Sequence, residues 1–124
     1  MAVLSIHHVS IIVSNTQQSV AFYQNLLDLQ VNDKRPDLGF PGAWFDIAGQ
    51  QIHLLEVENP DSVDNRPEHG GHDRHFAMSV DNFDEIEQRL KKLGAKYTKS
   101  RSGRAALFCR DLDGNGLEII QQKK

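Results

Sequence analysis

The chain has 124 residues, 39% hydrophobic and 25% charged, with a formal net charge of −3. That suits one globular domain with a buried core, and neither a basic excess for nucleic acid nor a like-charge tail is present. The single cysteine, Cys109, excludes an internal disulfide framework and a zinc finger of paired cysteines, so a cytoplasmic location is expected.

The first thirteen residues are too short and too interrupted by polar side chains for a signal peptide or a membrane span, so no membrane association is expected. Residues 8–13 alternate as a strand. Asn15 follows as an N-cap, with Gln18 in the reciprocal position. The helix it starts should bury Val20, Tyr23, Leu26 and Leu27, with Phe22 beside them. Residues 31–40 are weakly patterned. A strand over 43–47, a turn at 48–50 and a strand over 51–57 follow. Trp44 and Phe45 alternate there, so one should line a cleft and the other the core.

Residues 60–71 are polar, hold two prolines and read as a linker. His69 and His72 fall in or beside it and are read as part of a mobile, solvated loop. A strand then starts at His75. Asn82 is a second N-cap with Glu85 three residues on. The second helix places Phe83, Ile86, Leu90 and Leu93 on one face and ends at Gly94. A strand over 105–110, an Asp/Gly/Asn turn over 111–116 and a strand over 117–121 complete the chain.

The two halves repeat. Residues 8–15 align without a gap on residues 75–82, and His53 falls opposite Glu118 in the later strands. The pattern is β-α-β-β-β twice, an α+β fold. The modules are expected over about 4–58 and 73–122 of a single domain, residues 1–124. In each first strand one face is apolar: Val9, Ile11 and Val13, then Phe76, Met78 and Val80. His8 and His75 share the other face with Ser10, Ile12, Ala77 and Ser79. Four residues at repeat-equivalent positions, His8, His53, His75 and Glu118, can therefore ligate a metal from the helix-free faces. Imidazole with a carboxylate suits zinc, nickel, iron, cobalt or manganese better than calcium or magnesium.

Other candidates carry weaker patterns. His7 reads as structural, on the helix side or at a sheet edge. His69-x-x-His72-x-x-His75 is weighed as a second metal site and set aside. Asp111-x-Asp113-x-Asn115-Gly116 resembles the start of a calcium loop, but the twelfth position is Gln122 and no helices flank it, so a hairpin turn is expected. Arg74, Arg101, Arg104 and Arg110 could hold an anionic substrate. Arg104, after Ser102-Gly103, is the first choice. Cys109 lacks a base partner and reads as a small buried residue.

Four segments carry a resemblance to a known family. They are Ile6-His7-His8-Val9-Ser10-Ile11, Ala21-Phe22-Tyr23, Arg74-His75-Phe76-Ala77 and the run from Asp111 through Glu118 to Ile119. The chain resembles the vicinal oxygen chelate superfamily, which includes glyoxalase I, extradiol dioxygenases, fosfomycin-resistance transferases and metal-free bleomycin-binding proteins. The resemblance implies two βαβββ modules forming curved mixed sheets around a cleft. It also implies a divalent metal held by His8, His75 and Glu118, with Glu118 moving a substrate proton. His53 stands where bacterial glyoxalase I has a glutamate, a departure that puts strict glyoxalase I activity in doubt. Substrate contacts are expected from Arg104, Trp44 and Arg74. The implied activity is a metal-dependent lyase or isomerase acting on a small substrate with two vicinal oxygens. An iron dioxygenase or thiol transferase using a His-His-Glu triad, and a non-catalytic ligand-binding or resistance protein, stay open as alternatives. Family members of this size pair as homodimers with sites shared between subunits, and the same is expected here, with no nucleic-acid partner.

Overall fold

The computed structural model describes residues 2–122. The chain forms two compact units that divide between Pro60 and Asp61. The first unit runs β1 (His8–Ile12), α1 (Thr16–Leu27), β2 (Gln30–Asn32), β3 (Gly42–Ile47) and β4 (Gln50–Leu55). Its open sheet has the order β1-β4-β3-β2, with β1 parallel to β4 and the other pairs antiparallel. The second unit opens with a short 3-10 turn at Gly70–His72. It continues as β5 (His75–Val80), α2 (Phe83–Lys92), β6 (Tyr97–Lys99), β7 (Ala106–Arg110) and β8 (Gly116–Gln121). Its sheet order is β5-β8-β7-β6, with the same pattern of parallel and antiparallel neighbours. This is the α+β, twice-βαβββ arrangement that the repeat implies.

The registers coincide as well as the topologies. Ser10 lies opposite His53, and His53 opposite Trp44. In the second unit Ala77 lies opposite Glu118, and Glu118 opposite Phe108. The small residues Ser10 and Ala77 thus flank the two chemically active positions.

Strand alternation sends the apolar residues of each sheet to the helix side. In the first unit Ile11, Val13, Phe45, Ile52 and Leu54 are buried with Tyr23 and Leu26 of α1. In the second, Leu107, Cys109, Leu117 and Ile119 are buried with Phe83, Ile86 and Leu90 of α2. Each such Leu, Ile or Phe stabilises its unit by about 1.5–3 kcal/mol. The stripe on α2 is one turn shorter than the sequence suggests. Leu93 is 55% exposed because α2 ends at Lys92, and the chain then turns away through Gly94 at φ +66°. The turn at Ala48 and Gly49 has positive φ at both residues, as its hairpin requires.

The two helix starts differ. Asn15 caps α1, its Oδ1 accepting from the Gln18 N–H at 2.9 Å. Asn82 makes no such bond, contrary to expectation. Its amide donates instead to the Glu85 carboxylate at 3.2 Å. Among the described residues no helix is long and apolar enough to cross a membrane.

Candidate functional site

The face of each sheet away from its helix carries the polar chemistry. In the first unit three rings stack there. Trp44 lies 4.4 Å from His53 at an interplanar angle of 11°, and His53 lies 3.9 Å from His8 at 15°. Phe45, the neighbour of Trp44, is fully buried against Tyr23, so the alternation of these two aromatics sorts them between the open face and the core. His7 is exposed, and its Nδ1 lies 2.8 Å from Nδ1 of His8, so one of the two atoms carries a proton for the other.

A relay fixes the tautomer of His53. Asp46 accepts from the Gln51 side-chain amide at 3.0 Å and from Asn32 at 3.2 Å. A carboxylate can only accept when ionised, so Gln51 must turn its NH2 to Asp46 and its Oε1 to His53. His53 Nε2 is 2.8 Å from that oxygen and therefore carries the hydrogen, which leaves Nδ1 as the lone-pair atom of the neutral ring. Burial, first, and then the charges of His8, His7 and Arg35 lower the pKa of His53, which favours that neutral ring.

The second unit places a carboxylate at the matching point. Glu118 is buried, 5% exposed. Its Oε2 accepts from Arg104 Nη2 at 2.6 Å, and its Oε1 lies 3.1 Å from His75 Nε2. The other nitrogen of His75, Nδ1, is 2.8 Å from the Asp73 carbonyl oxygen, which can only accept. Nδ1 therefore carries hydrogen, and in the neutral ring Nε2 is bare. Two lone pairs, of Nε2 and Oε1, then face each other at 3.1 Å. That geometry is stable only with a cation between or beside them, either a second proton on the imidazole or a metal ion. Both atoms are good ligands for a borderline metal, and a carbonyl-bound Nδ1–H is the usual support for a ligating histidine. The residues present therefore fit a divalent metal.

Asp73 is held in turn. Its carboxylate bonds Arg66 at 2.7 Å and Arg110 at 2.7 Å, and Arg110 also donates to the Pro67 and Gly114 carbonyls. Its hydrogen bond with Arg66, first, and that with Arg110 hold its pKa well below the usual carboxylate range. This buckle ties residues 66–73 to the β7–β8 turn and sets the backbone beside His75. Gly116 sits there without a Cβ because one would meet the Arg74 carbonyl oxygen at 2.6 Å. Segment 69–72 is thus not the mobile loop expected from its composition. His69 accepts from the Gly71 N–H, stacks on His72 and packs against Phe108.

The remaining candidates separate. Arg104 reaches Glu118, while Arg74 pairs at the surface with Asp61 and Arg110 is part of the buckle. Cys109 is buried and its pKa is pushed up to about 12, first by burial and then by Asp111, so it is unreactive. Asp111 Oδ1 accepts from the N–H groups of Asp113 and Asn115, closing the expected hairpin turn. Each unit brings together one pair of the sequence-derived ligands. Among the described residues no group of three or more His, Cys, Asp or Glu side chains is arranged so as to hold a metal ion by itself. Sequence reasoning missed Asp46, Gln51 and Asp73. Gln51 and Asp46 were visible as polar residues on the His53 face, but nothing in the pattern said that they would bond each other.

Known proteins share this architecture. The sequence profile of the Glyoxalase/Bleomycin resistance protein/Dioxygenase superfamily matches residues 5–119. The chain is 32% identical to the uncharacterized protein YwkD of Bacillus subtilis, covering 98% of this chain and 100% of that protein. It is 28% identical to lactoylglutathione lyase of Salmonella typhimurium, over 94% of this chain and 91% of that one. Among solved structures, the fosfomycin resistance protein FosX of Listeria monocytogenes, in complex with manganese(II) and 1S,2S-dihydroxypropylphosphonic acid, superposes with a TM-score of 0.72. The match has 24% identity and covers 99% of this chain and 94% of that chain.

Proposed function

The chain belongs to the Glyoxalase/Bleomycin resistance protein/Dioxygenase superfamily, and from that premise we propose that it is a metal-dependent lyase or isomerase acting on a small substrate with two vicinal oxygens. The observation that carries the reading is the placement of His75 Nε2 and Glu118 Oε1 3.1 Å apart on the helix-free face, with the other ring nitrogen of His75 held by the Asp73 carbonyl, a pair of atoms that could ligate one metal ion. His75 and Glu118 are the ligands we assign from the second unit, and His8 and His53 those from the first. The likeness to lactoylglutathione lyase supports the reaction class, and FosX, complexed with manganese(II) and a vicinal diol, shows that such a fold accommodates both.

When bound, the metal supplies a Lewis acid that polarises two adjacent substrate oxygens. The protein's own groups do the rest. Glu118 would take the proton from the hydroxyl-bearing carbon next to the carbonyl and return it to the carbonyl carbon, while the hydroxyl proton passes to the former carbonyl oxygen, so that the isomerisation conserves atoms and electrons. The carbonyl of Asp73 holds the His75 ring in orientation during that transfer. Arg104 and Trp44 present a guanidinium and an aromatic face to the substrate, Arg74 a more peripheral charge. We propose a cytoplasmic homodimer as the working form, one domain per chain.

His53 favours a second reading. It stands as an imidazole where the resemblance places a carboxylate, and without it the three ligands of a dioxygenase or thiol transferase would remain, whereas with Nε2 held by Gln51 its Nδ1 would be the ligating atom of a four-ligand site. Elemental mass spectrometry of tag-free wild type and His53→Ala separates the two. Loss of metal in the variant supports four ligands and isomerase or lyase chemistry. Retention favours the three-ligand reading. A wild type that takes up no metal after reconstitution overturns both and leaves a ligand-binding protein.

A further inference from the structure

We infer that Arg104 is a latch on Glu118: it competes with a metal for the carboxylate, and once displaced it would be free to grip an anionic group of the substrate. The inference rests on the metal reading above and adds a coupling between metal and substrate that the reading does not require.

Three features carry it. First, the Arg104–Glu118 contact is a close charge-assisted bond, 2.6 Å, and it falls on Oε2, the oxygen that His75 leaves free. Both oxygens of Glu118 are thereby committed, so a metal that takes either must disturb the pair. Second, the two partners differ in exposure. The Glu118 side chain is 7% exposed and the Arg104 side chain 53%. The carboxylate is fixed on β8 between the register neighbours Ala77 and Phe108. The guanidinium comes from the segment 100–105 between β6 and β7, where the side chain is half exposed. The arginine is the partner that can leave. Third, a freed guanidinium at that point is a strong anion receptor, because it presents several donors in one plane to carboxylate, phosphate or phosphonate oxygens.

The energetic logic is a three-way competition. Arg104 neutralises a buried carboxylate that would otherwise be costly without a metal. The metal, once bound, neutralises the same charge and repels the guanidinium. An anion that binds Arg104 draws it off Glu118 and so favours the metal. By reciprocity the metal favours the anion by the same factor. The substrate class that exploits this has an anionic group near its two vicinal oxygens.

The test measures nickel(II) affinity by titration calorimetry for wild type, Arg104→Gln and Arg101→Gln, each with and without sulfate as probe anion. The latch predicts that Arg104→Gln binds nickel about tenfold more tightly than wild type. Arg101→Gln, which removes the same charge from the same loop, should differ from wild type by less than about twofold, within surface electrostatics. Sulfate should tighten nickel binding by wild type and lose that effect in Arg104→Gln. The latch is overturned if Arg104→Gln binds nickel no more tightly than wild type, or if Arg101→Gln matches it, which would reduce the effect to general repulsion. Those results leave the metal reading standing. If neither wild type nor either variant binds nickel, the metal reading itself fails and takes the latch with it.

Discussion

The two units share one scaffold and differ in what they display on it. Their sheets have the same order and register, and even the first N–H of each helix is met from the same place. The Thr16 N–H donates to Glu56 Oε1 at 2.8 Å, and the Phe83 N–H, at the matching position of the second unit, donates to Gln121 Oε1 at 3.1 Å. The helix-side cores follow suit. The opposite faces have diverged. One carries a stack of rings, Trp44, His53 and His8, and the other a cluster of Glu118, Arg104 and His75. Packing and register constrain the helix side in both copies, because the buried apolar residues of sheet and helix share one core there. The open face bears no such load, so its chemistry could change while the backbone stayed the same.

The sharpest way to break that comparison is Glu118→Gln. The amide keeps the shape, can accept from Arg104, and can donate an N–H to the bare Nε2 of His75. The fold should therefore melt at nearly the same temperature as wild type. Metal content should fall more than about tenfold, and turnover of the true substrate by about a hundredfold or more, with the ligand and base both lost. Parallel melting curves, elemental analysis and initial rates check this. A variant that kept both metal and rate would remove Glu118 from the site.

The next largest effect concerns stability of the second unit. Asp73 has a nearly buried side chain between two arginines, so Asp73→Ala should cost about 3 kcal/mol in urea unfolding, by leaving those cations unpaired. The pH dependence has a definite sign. The folded pKa of Asp73 is depressed, so its contribution is fully present above the unfolded value near 3.8 and is lost as pH falls through the folded value. His53, whose pKa is also lowered, stabilises the first unit in the same direction but in a higher window. Its contribution is complete above the unfolded value of 6.5 and declines below it. Unfolding followed from pH 7 to pH 5 should therefore weaken the first unit, and His53→Gln should flatten that slope. Asp73→Ala should flatten only the loss below about pH 4.

A smaller effect tests the relay in the first unit. Gln51→Leu removes the acceptor for His53 Nε2–H, so metal affinity should fall about tenfold if His53 is a ligand. Asp46→Asn, which still offers Gln51 an acceptor, should keep most of the wild-type affinity. Competition titration with a chromogenic chelator reads both.

Most of this fold was legible in the sequence because repetition made each half a check on the other. His8-Val9-Ser10-Ile11 over His75-Phe76-Ala77-Met78 gave strand, face and register at once. The same logic brought Glu118 and His53 to attention. The supports were illegible for a physical reason. Asp73, Asp46 and Gln51 act through bonds between side chains that neighbour each other only across strands or after a loop folds back, and no periodicity encodes such pairs. The composition of residues 60–71 suggested a solvated linker. It could not show that Arg66 and Arg110 would meet on one carboxylate and order the end of that stretch. Leu93 kept the helical spacing past the point where the helix stops. There Gly94, a sound terminator in the sequence, mattered more than the spacing.

The smallest expected difference lies at the helix starts, where the sequences look most alike. Asn15 and Asn82 are repeat-equivalent, yet only Asn15 bonds the first turn of its helix. Asn82 turns to Glu85, and the orphan N–H of Phe83 is met from outside the helix by Gln121. Asn15→Ala should therefore cost about 1 kcal/mol, the usual worth of an N-cap. Asn82→Ala should cost less than about 0.5 kcal/mol, as for an ordinary surface change. Gln121→Ala should exceed Asn82→Ala, since it strips the bond that does the capping in the second unit. Urea unfolding of the three variants in one buffer decides the matter. Equal costs for Asn15→Ala and Asn82→Ala would mean that the two starts are capped alike and that the divergence is confined to the open faces. The expected order would mean that the helix-side scaffold has diverged as well, keeping the bond to the first helical N–H in both units and the Asn cap only in the first.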